Sequence, residues 1–417
     1  MVPRSRPGWP RPGWPRHFIV VALCFAAVFI AYLDRANISV AAIAMKEQFG
    51  WTETQKGLVL SSFFVGYLVL QVASGWLANR YGGRIVLGLA VLWWSLFTLL
   101  TPAAALISLP MLIAARITMG LGEAAVFPAA VNMIARWVPV AERTRAMGLL
   151  FSGLSFGTLF ALPATGWLVR QYGWPSAFYV FGAVGLVWGV AWFVGVRGEP
   201  DVNLEPETAG SARPGIPWRA LLSTPGVWAI TVNHFCHNWS LYLLVAWLPS
   251  YFRATYGLSI TNAGLYSAAP WLTSFVMANS AAWVADRMLI RGVPTTLVRK
   301  LMQTIGLVGS AACLLLLREA GSANVALILV CSAAGALAIT TSGFAPNGFD
   351  LAPRYADVIF GISNTFATIP GIVGVAVTGW LIDQTGSYAA PFLLAASISV
   401  VGALVFLIFG TGRRVID

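Results

Sequence analysis

Three features of the 417-residue sequence predict an all-α membrane protein with twelve transmembrane helices in two six-helix halves. They are extreme apolarity, apolar runs of membrane-spanning length along the whole chain, and a repeat that links its two halves. Hydrophobic residues make up 58% and charged residues 10% of the chain, against roughly a quarter charged in an ordinary soluble domain. A fold in water cannot hide that much apolar surface. A helix of about 20 residues crosses a hydrocarbon core of about 30 Å, so the lipid bilayer is the expected solvent.

In chain order, residues 1–17 carry Arg4, Arg6, Arg11 and Arg16 and a near-repeat of Arg6-Pro7-Gly8-Trp9-Pro10 in Arg11-Pro12-Gly13-Trp14-Pro15. Basic and proline-rich, they predict an extended cytoplasmic tail. The apolar run that follows continues to about residue 43 without a small-residue cleavage site, so it is expected to be a retained first span. Apolar windows place helices near 18–43, 57–78, 85–106, 109–134, 146–169 and 174–195, an N-terminal bundle over 18–196. A proline- and acid-rich gap, 197–220, reads as a cytoplasmic linker. Six more windows, near 226–250, 261–285, 299–317, 323–347, 357–382 and 388–410, predict a C-terminal bundle over 221–411, with 412–417 a second cytoplasmic tail.

Assigning Lys and Arg to alternate sides puts 19 on the side of the N-terminus and only five opposite, Lys46, Lys56, Arg170, Arg253 and Arg318. Cytoplasmic loops gather positive charge, so an integral, multi-pass protein of the inner (plasma) membrane with both termini cytoplasmic is expected. The net charge of +11 is spread over these gaps and forms no single basic stripe, which excludes nucleic acid as a partner. Trp76-Leu77-Ala78-Asn79-Arg80 returns as Trp283-Val284-Ala285-Asp286-Arg287, 207 positions on. Thr165-Gly166-Trp167-Leu168 returns as Thr378-Gly379-Trp380-Leu381, 213 positions on. Similar offsets at two places point to a duplicated six-helix unit, and duplicated carriers bind at the interface of their halves near the membrane midplane.

Two basic residues, Arg35 and Arg116, lie inside apolar spans, with the acids Asp34 and Glu123 beside them. A charge at mid-bilayer costs about 2.5–3.5 kcal/mol on insertion scales, so these groups are expected to line one wet cavity. Internal salt bridges that merely fix packing are the alternative, but adjacent helical residues point about 100° apart, so Asp34 and Arg35 cannot satisfy each other. Arginine offers a rigid bidentate fork for a carboxylate, which makes Arg35 and Arg116 candidate substrate ligands and leaves Asp34 and Glu123 to carry protons. An acid whose arginine is taken by substrate can change protonation as the cavity opens to either side.

Four segments then resemble the major facilitator superfamily and, within it, the anion:cation symporter family. They are Asp34-Arg35-Ala36-Asn37-Ile38-Ser39-Val40-Ala41; Arg116 with Gly120-Leu121-Gly122-Glu123, Phe127-Pro128, Trp137-Val138-Pro139 and Glu142-Arg143; His234-Phe235-Cys236-His237-Asn238-Trp239 with Tyr242 and Pro249-Ser250-Tyr251; and Asn347-Gly348-Phe349-Asp350-Leu351-Ala352-Pro353-Arg354-Tyr355 with Gly361-Ile362-Ser363-Asn364. The resemblance implies the major facilitator fold, proton coupling at Asp34 and Glu123, and substrate binding at Arg35 and Arg116. Two departures stand out. Asn79 occupies a position where the superfamily usually has aspartate, although Arg80, Gly82 and Arg84 remain, and Gly348 stands where several eukaryotic relatives have histidine.

Tyr32, Asn37, Asn238, Tyr242, Asn347 and Asn364 are further candidate substrate ligands, polar groups at membrane depth that can orient a hydroxylated or carboxylate molecule. Hydrogen bonds to neighbouring backbone are the competing explanation. Arg80, Arg84, Glu142, Arg143, Asp286 and Arg287 are expected to latch the cytoplasmic side. His234 and His237 suit packing or a proton relay, and with Cys236 they fall short of a closed metal set, so no metal is expected. No phosphate-binding loop or nucleophile elbow occurs, which argues against an ATPase or an enzyme. The sequence therefore predicts proton-coupled symport of a small organic anion, a carboxylate or sugar acid, by a monomeric carrier that uses an ion gradient and no cofactor. Its partners would be the anion, protons and the lipid bilayer. Sodium-coupled transport or exchange of phosphate or a phosphate ester is the alternative, and drug efflux ranks below both.

Overall fold

The computed structural model describes residues 16–197 and 216–416, so most of the expected N-terminal tail and linker lies outside the described residues. Seven helices precede the linker: α1 (Arg16–Phe49), α2 (Glu53–Tyr81), α3 (Gly83–Ile107), α4 (Leu109–Glu123), α5 (Val126–Trp137), α6 (Arg143–Tyr172) and α7 (Pro175–Gly195). After it come a short helix, α8 (Trp218–Ser223), and then α9 (Pro225–Tyr256), α10 (Ile260–Ile290), α11 (Thr295–Leu316), α12 (Ala323–Ile339), α13 (Asn347–Leu351), α14 (Ala356–Thr385) and α15 (Ala389–Phe409). With α4 and α5 forming one broken span and α12 and α13 another, the chain crosses twelve times. Ten of these segments are long and apolar enough to cross a membrane by composition alone. The other two, α9 and α10, have the length, at 32 and 31 residues, but carry polar faces.

Side-chain caps start several helices at the face opposite the termini, here called the far face. Thr52 forms a reciprocal capping box with Gln55 at α2, and Ser108, Ser259 and Ser322 each accept from a first-turn amide of α4, α10 and α12. Both interruptions fall in the corresponding span of each half. The first follows Glu123 directly, at Ala124 and Ala125; the second runs through a 3-10 turn, Thr340–Ser342, to Pro346. Broken helices of this kind characteristically border carrier binding sites.

The sequence repeats acquire a physical meaning in the packing. Arg80 lies over the Trp76 ring at 5.2 Å and Arg287 over Trp283 at 5.3 Å, the same i, i+4 stack at the terminus-side end of α2 and α10. The halves meet where α2 runs along α14 and α6 along α10. At those seams Gly166 abuts the backbone of Ile260 and Thr261, where an added Cβ would lie 3.0 Å away, and Gly379 abuts Glu53, where it would lie 2.3 Å from the carbonyl oxygen. Each copy of the Thr-Gly-Trp-Leu segment thus receives the first turn of a helix from the other half.

That far-face seam is tied further. Asp383 accepts from the Glu53 and Thr54 amides at 2.9 and 2.7 Å and from the Thr54 hydroxyl at 2.5 Å, a carboxylate at a helix N-terminus supplied by the opposite half. Lys56, buried, bonds Ser250 at 3.1 Å, lies 4.6 Å from the Trp247 ring and pairs with Glu53, which also holds Lys46. Arg253 reaches Glu47 at 3.6 Å. At the end carrying the termini, Trp76, Phe360 and Trp283 are exposed, and the polar contacts described there stay within a half.

Candidate functional site

The site grows from α1. Arg35 projects toward α2 and α4, where Glu123 Oε1 accepts from its Nε at 3.0 Å and also from its Nη2. Its Nη1 donates to the Tyr32 hydroxyl at 3.3 Å. The guanidinium carbon sits 4.6 Å from the Tyr32 ring and 4.9 Å from both Phe63 and Tyr67, an aromatic cage that substitutes for lost hydration. Arg116, one helix away, shares the Phe63 ring at 5.6 Å and donates to Met119 Sδ at 3.1 Å. Its Nε has no hydrogen-bond partner and, among the described residues, no carboxylate lies within 4.0 Å of it.

A narrow gap of about 10 Å³, room for about one water molecule, opens beside these cations, walled by Arg35, Ser39, Phe63 and Arg116 from the first half and by Tyr242, Val245 and Ala246 of α9 from the second. The two arginines therefore border a space at the junction of the halves, not lipid. The four charges do not share one wall, which corrects the expectation of a single lining. Asp34, fully buried, turns toward α3 and lies among Trp94, Thr98, Arg116 and Glu123, with no hydrogen bond to either carboxylate oxygen. Asn37, one turn on and equally buried, also has both amide atoms unpartnered and does not border the gap. The rotation of about 100° between neighbours on a helix accounts for this split. The internal pair that forms is Arg35 with Glu123, and Glu123 Oε2 stays without a partner.

The remaining candidates divide. Tyr242 packs on Phe64 with ring centroids 4.4 Å apart, and Asn238 donates to the Ala367 carbonyl at 2.8 Å and approaches the Tyr242 hydroxyl at 3.5 Å. Asn364 lies on α14 one turn before Thr368, whose hydroxyl donates to Gln71 of the other half at 3.1 Å. Asn347 stands elsewhere, donating to the Thr411 carbonyl at 2.8 Å and to Asp350 at 3.3 Å, with Arg299 bonded to the same Asp350. It fastens the chain after α15 and does not meet the arginines.

Of the expected latch residues, Arg80, Glu142, Arg143 and Arg287 find partners in their own half. Arg143 donates to the Val138 and Ala135 carbonyls at the end of α5, and Glu142 pairs with His17 at 3.1 Å. Arg80 and Arg287 lie on their own tryptophans, and Arg84 has its Nε unpartnered. Asn79 accepts from Asn132 at 3.0 Å, a neutral amide pair within the first half. Asp286 lies at the end of α10 next to Arg287. Sequence reasoning missed Phe63, Phe64 and Tyr67. Their signal was three aromatic residues within one and a half turns of α2, which in an apolar span reads as ordinary packing.

Residues 24–375 match the sequence pattern of the Major Facilitator Superfamily. The chain belongs to that superfamily. Among its relatives in it are the ascorbate transporter, chloroplastic, of Arabidopsis thaliana, 38% identical over 99% of this chain and 78% of the relative. The sodium-dependent phosphate transport protein 1, chloroplastic, of the same plant is 40% identical over 96% of this chain and 80% of its own. A probable anion transporter 4, chloroplastic, of Oryza sativa subsp. japonica is also 40% identical, over 99% of this chain and 71% of the relative. The superfamily fold is shared with solved structures. An inward-facing, unoccupied bacterial homologue of the human lysosomal transporter Spinster superposes with a TM-score of 0.77 at 16% identity, covering 95% of this chain and 96% of that one. A D-xylose–proton symporter gives 0.76 at 15% identity, covering 95% and 99%. These matches place the chain among multi-pass membrane carriers, and its curated relatives are anion transporters.

Proposed function

We propose that the protein is a proton-coupled symporter of a small organic anion that works by alternating access, residing in the inner membrane with both termini in the cytoplasm. The observation that carries this reading is the sharing of one guanidinium: Arg35 borders the gap between the halves while its fork is occupied by Glu123. An entering carboxylate needs that fork. Protonating Glu123 releases Arg35 to the anion, and binding of the anion leaves Glu123 to hold a proton, so each favours the other by reciprocal linkage. Arg116 supplies the second cation, with Asp34 and Glu123 nearby but neither carboxylate within 4.0 Å of it. The loaded site, carrying both anion and proton, is then free to rock between faces.

The plant relative named for ascorbate supports a hydroxylated organic acid. The relative named for sodium-dependent phosphate transport favours the second reading, sodium-driven movement of phosphate, since arginine pairs suit phosphate equally well. Reconstituted protein in liposomes separates them. An inward proton gradient should drive accumulation of a sugar acid in sodium-free buffer, and a sodium gradient alone should not. Accumulation that follows sodium and ignores the proton gradient would replace this reading with the second. In the same liposomes Glu123→Gln should keep anion exchange and lose gradient-driven uptake.

A further inference from the structure

We propose that a groove between α9, α14 and α15 holds one acyl chain of a bilayer phospholipid, whose phosphate is met by Arg219 at the membrane surface. The groove has a volume of about 430 Å³, room for more than ten groups the size of a water or a methylene at about 30 Å³ each. Thr231, Val232 and Phe235 of α9, Phe366 of α14, and Ser397 and Val401 of α15 line it. Trp228 meets Phe366 edge to face, with ring centroids 5.7 Å apart, and closes one end. Cys236 forms part of the floor, where Gly402 of α15 comes so near that an added Cβ would lie 2.8 Å from that of the cysteine.

The wall offers its occupant no hydroxyl or indole hydrogen. The Thr231 hydroxyl donates to the Val227 carbonyl at 2.9 Å, that of Ser397 to the Leu393 carbonyl at 2.9 Å, and the Trp228 indole to the Leu222 carbonyl at 2.8 Å. Each of these donors is spent on backbone. A hydrocarbon chain fills such a groove through dispersion alone, whereas a polar ligand would leave its own groups unpaired.

Depth identifies the source of the chain. On α9 the wall runs from Trp228 to Cys236, about 5 to 17 Å from the start of the helix at Pro225. On α15, Val401 and Ser397 lie about 12 and 18 Å before its end at Phe409. The groove therefore spans one leaflet, about half of a hydrocarbon core of about 30 Å, on the side of the termini. At that end α8 is tied to the groove by the bond between Trp228 and Leu222. Ile216, Trp218 and Leu222 expose apolar side chains there, Leu221 is buried beneath them, and Arg219 is exposed among them. Aromatic and apolar groups mixed with a cation suit the headgroup layer, and a guanidinium suits a phosphodiester.

The test delipidates the purified full chain stepwise and follows bound phosphatidylglycerol by native mass spectrometry. Three chains are compared: wild type, Val401→Trp, which fills the groove, and Val400→Trp, which adds the same bulk at an exposed neighbour outside it. Wild type and Val400→Trp should keep one phospholipid after the rest have left, and Val401→Trp should bind it about tenfold more weakly. Arg219→Gln should also weaken retention. Equal retention in Val401→Trp and Val400→Trp would show surrounding lipid only and overturn the site, an unchanged affinity in Arg219→Gln would remove the phosphate contact, and a phosphate-free molecule retained in place of the phospholipid would overturn the occupant. Wild type alone gives a second readout should Val401→Trp fail to fold. A phospholipid with a photoreactive diazirine midway along its acyl chain should crosslink to the peptides holding Val232, Phe235 and Val401. Crosslinks spread evenly over the exposed residues of every outer helix would contradict the proposal.

Discussion

Arg35 is a cation held by one carboxylate oxygen and three aromatic faces, and every one of those contacts depends on the planar fork. Lysine keeps the charge and loses both bidentate geometry and stacking. Arg35→Lys should therefore weaken anion binding by about 10- to 100-fold, or roughly 1.4–2.8 kcal/mol, with folding near normal; isothermal titration against a carboxylate ligand reads it. An unchanged dissociation constant would mean that the fork does not meet the anion. The presence of costly charges at Asp34, Arg35, Arg116 and Glu123 was legible in the sequence, because burial of any one of them demands compensation. Their partners were not. Pairing depends on how α1 is rotated, which sends Arg35 to Glu123 and Asp34 toward α3, and no local pattern specifies that rotation. Asn347 illustrates the same limit, since a polar residue in an apolar window looks identical whether it faces a ligand or the Thr411 carbonyl.

At the scale of elements, the cage over Arg35 requires α2 and α4 to approach closely, and glycines permit it. A Cβ on Gly120 would lie 2.1 Å from the Phe63 carbonyl oxygen, and one on Gly66 1.9 Å from that of Ile117. Gly120→Ala should force the helices apart and cost about 1–3 kcal/mol, seen as a lower melting temperature. The control is Gly148→Ala in α6, where nothing lies within 4 Å; it should be neutral or stabilising by about 0.5–1 kcal/mol through helix propensity. Equal shifts in the two variants would contradict the packing account. Most spans were readable from apolar length, including their order and parity. The interruption at Ala124 and Ala125 was not, because alanines carry no breaker signal, and the capped first turn of α2 at Glu53 extends the helix past the polar residues that ended the apolar window.

For the whole molecule, the two halves are joined at the far face by a pair of equivalent seams, and the arginine site lies beneath them. Gly379 against Glu53, with Asp383 on the α2 N-terminus, is the more heavily bonded of the two. Gly379→Leu should part that seam and favour opening at the far face, so spin labels placed near residues 50 and 385 should report longer distances in the variant, while labels near 80 and 287 should report shorter ones. Unchanged distances would show that the seam does not set the balance between states. The repeated Thr-Gly-Trp-Leu segment marked duplication in the sequence, yet the role of its glycine became visible only when each copy met the other half.

Competition between Glu123 and the anion for Arg35 is tested most directly by the pH dependence of anion affinity in wild type and Glu123→Gln. If the carboxylate must be protonated before Arg35 is released, wild-type affinity is highest at low pH and falls by up to about tenfold per pH unit as Glu123 ionises, whereas the glutamine variant binds with high affinity at every pH. A wild-type affinity that does not change with pH, or a glutamine variant with the same slope as wild type, would contradict the shared-guanidinium mechanism.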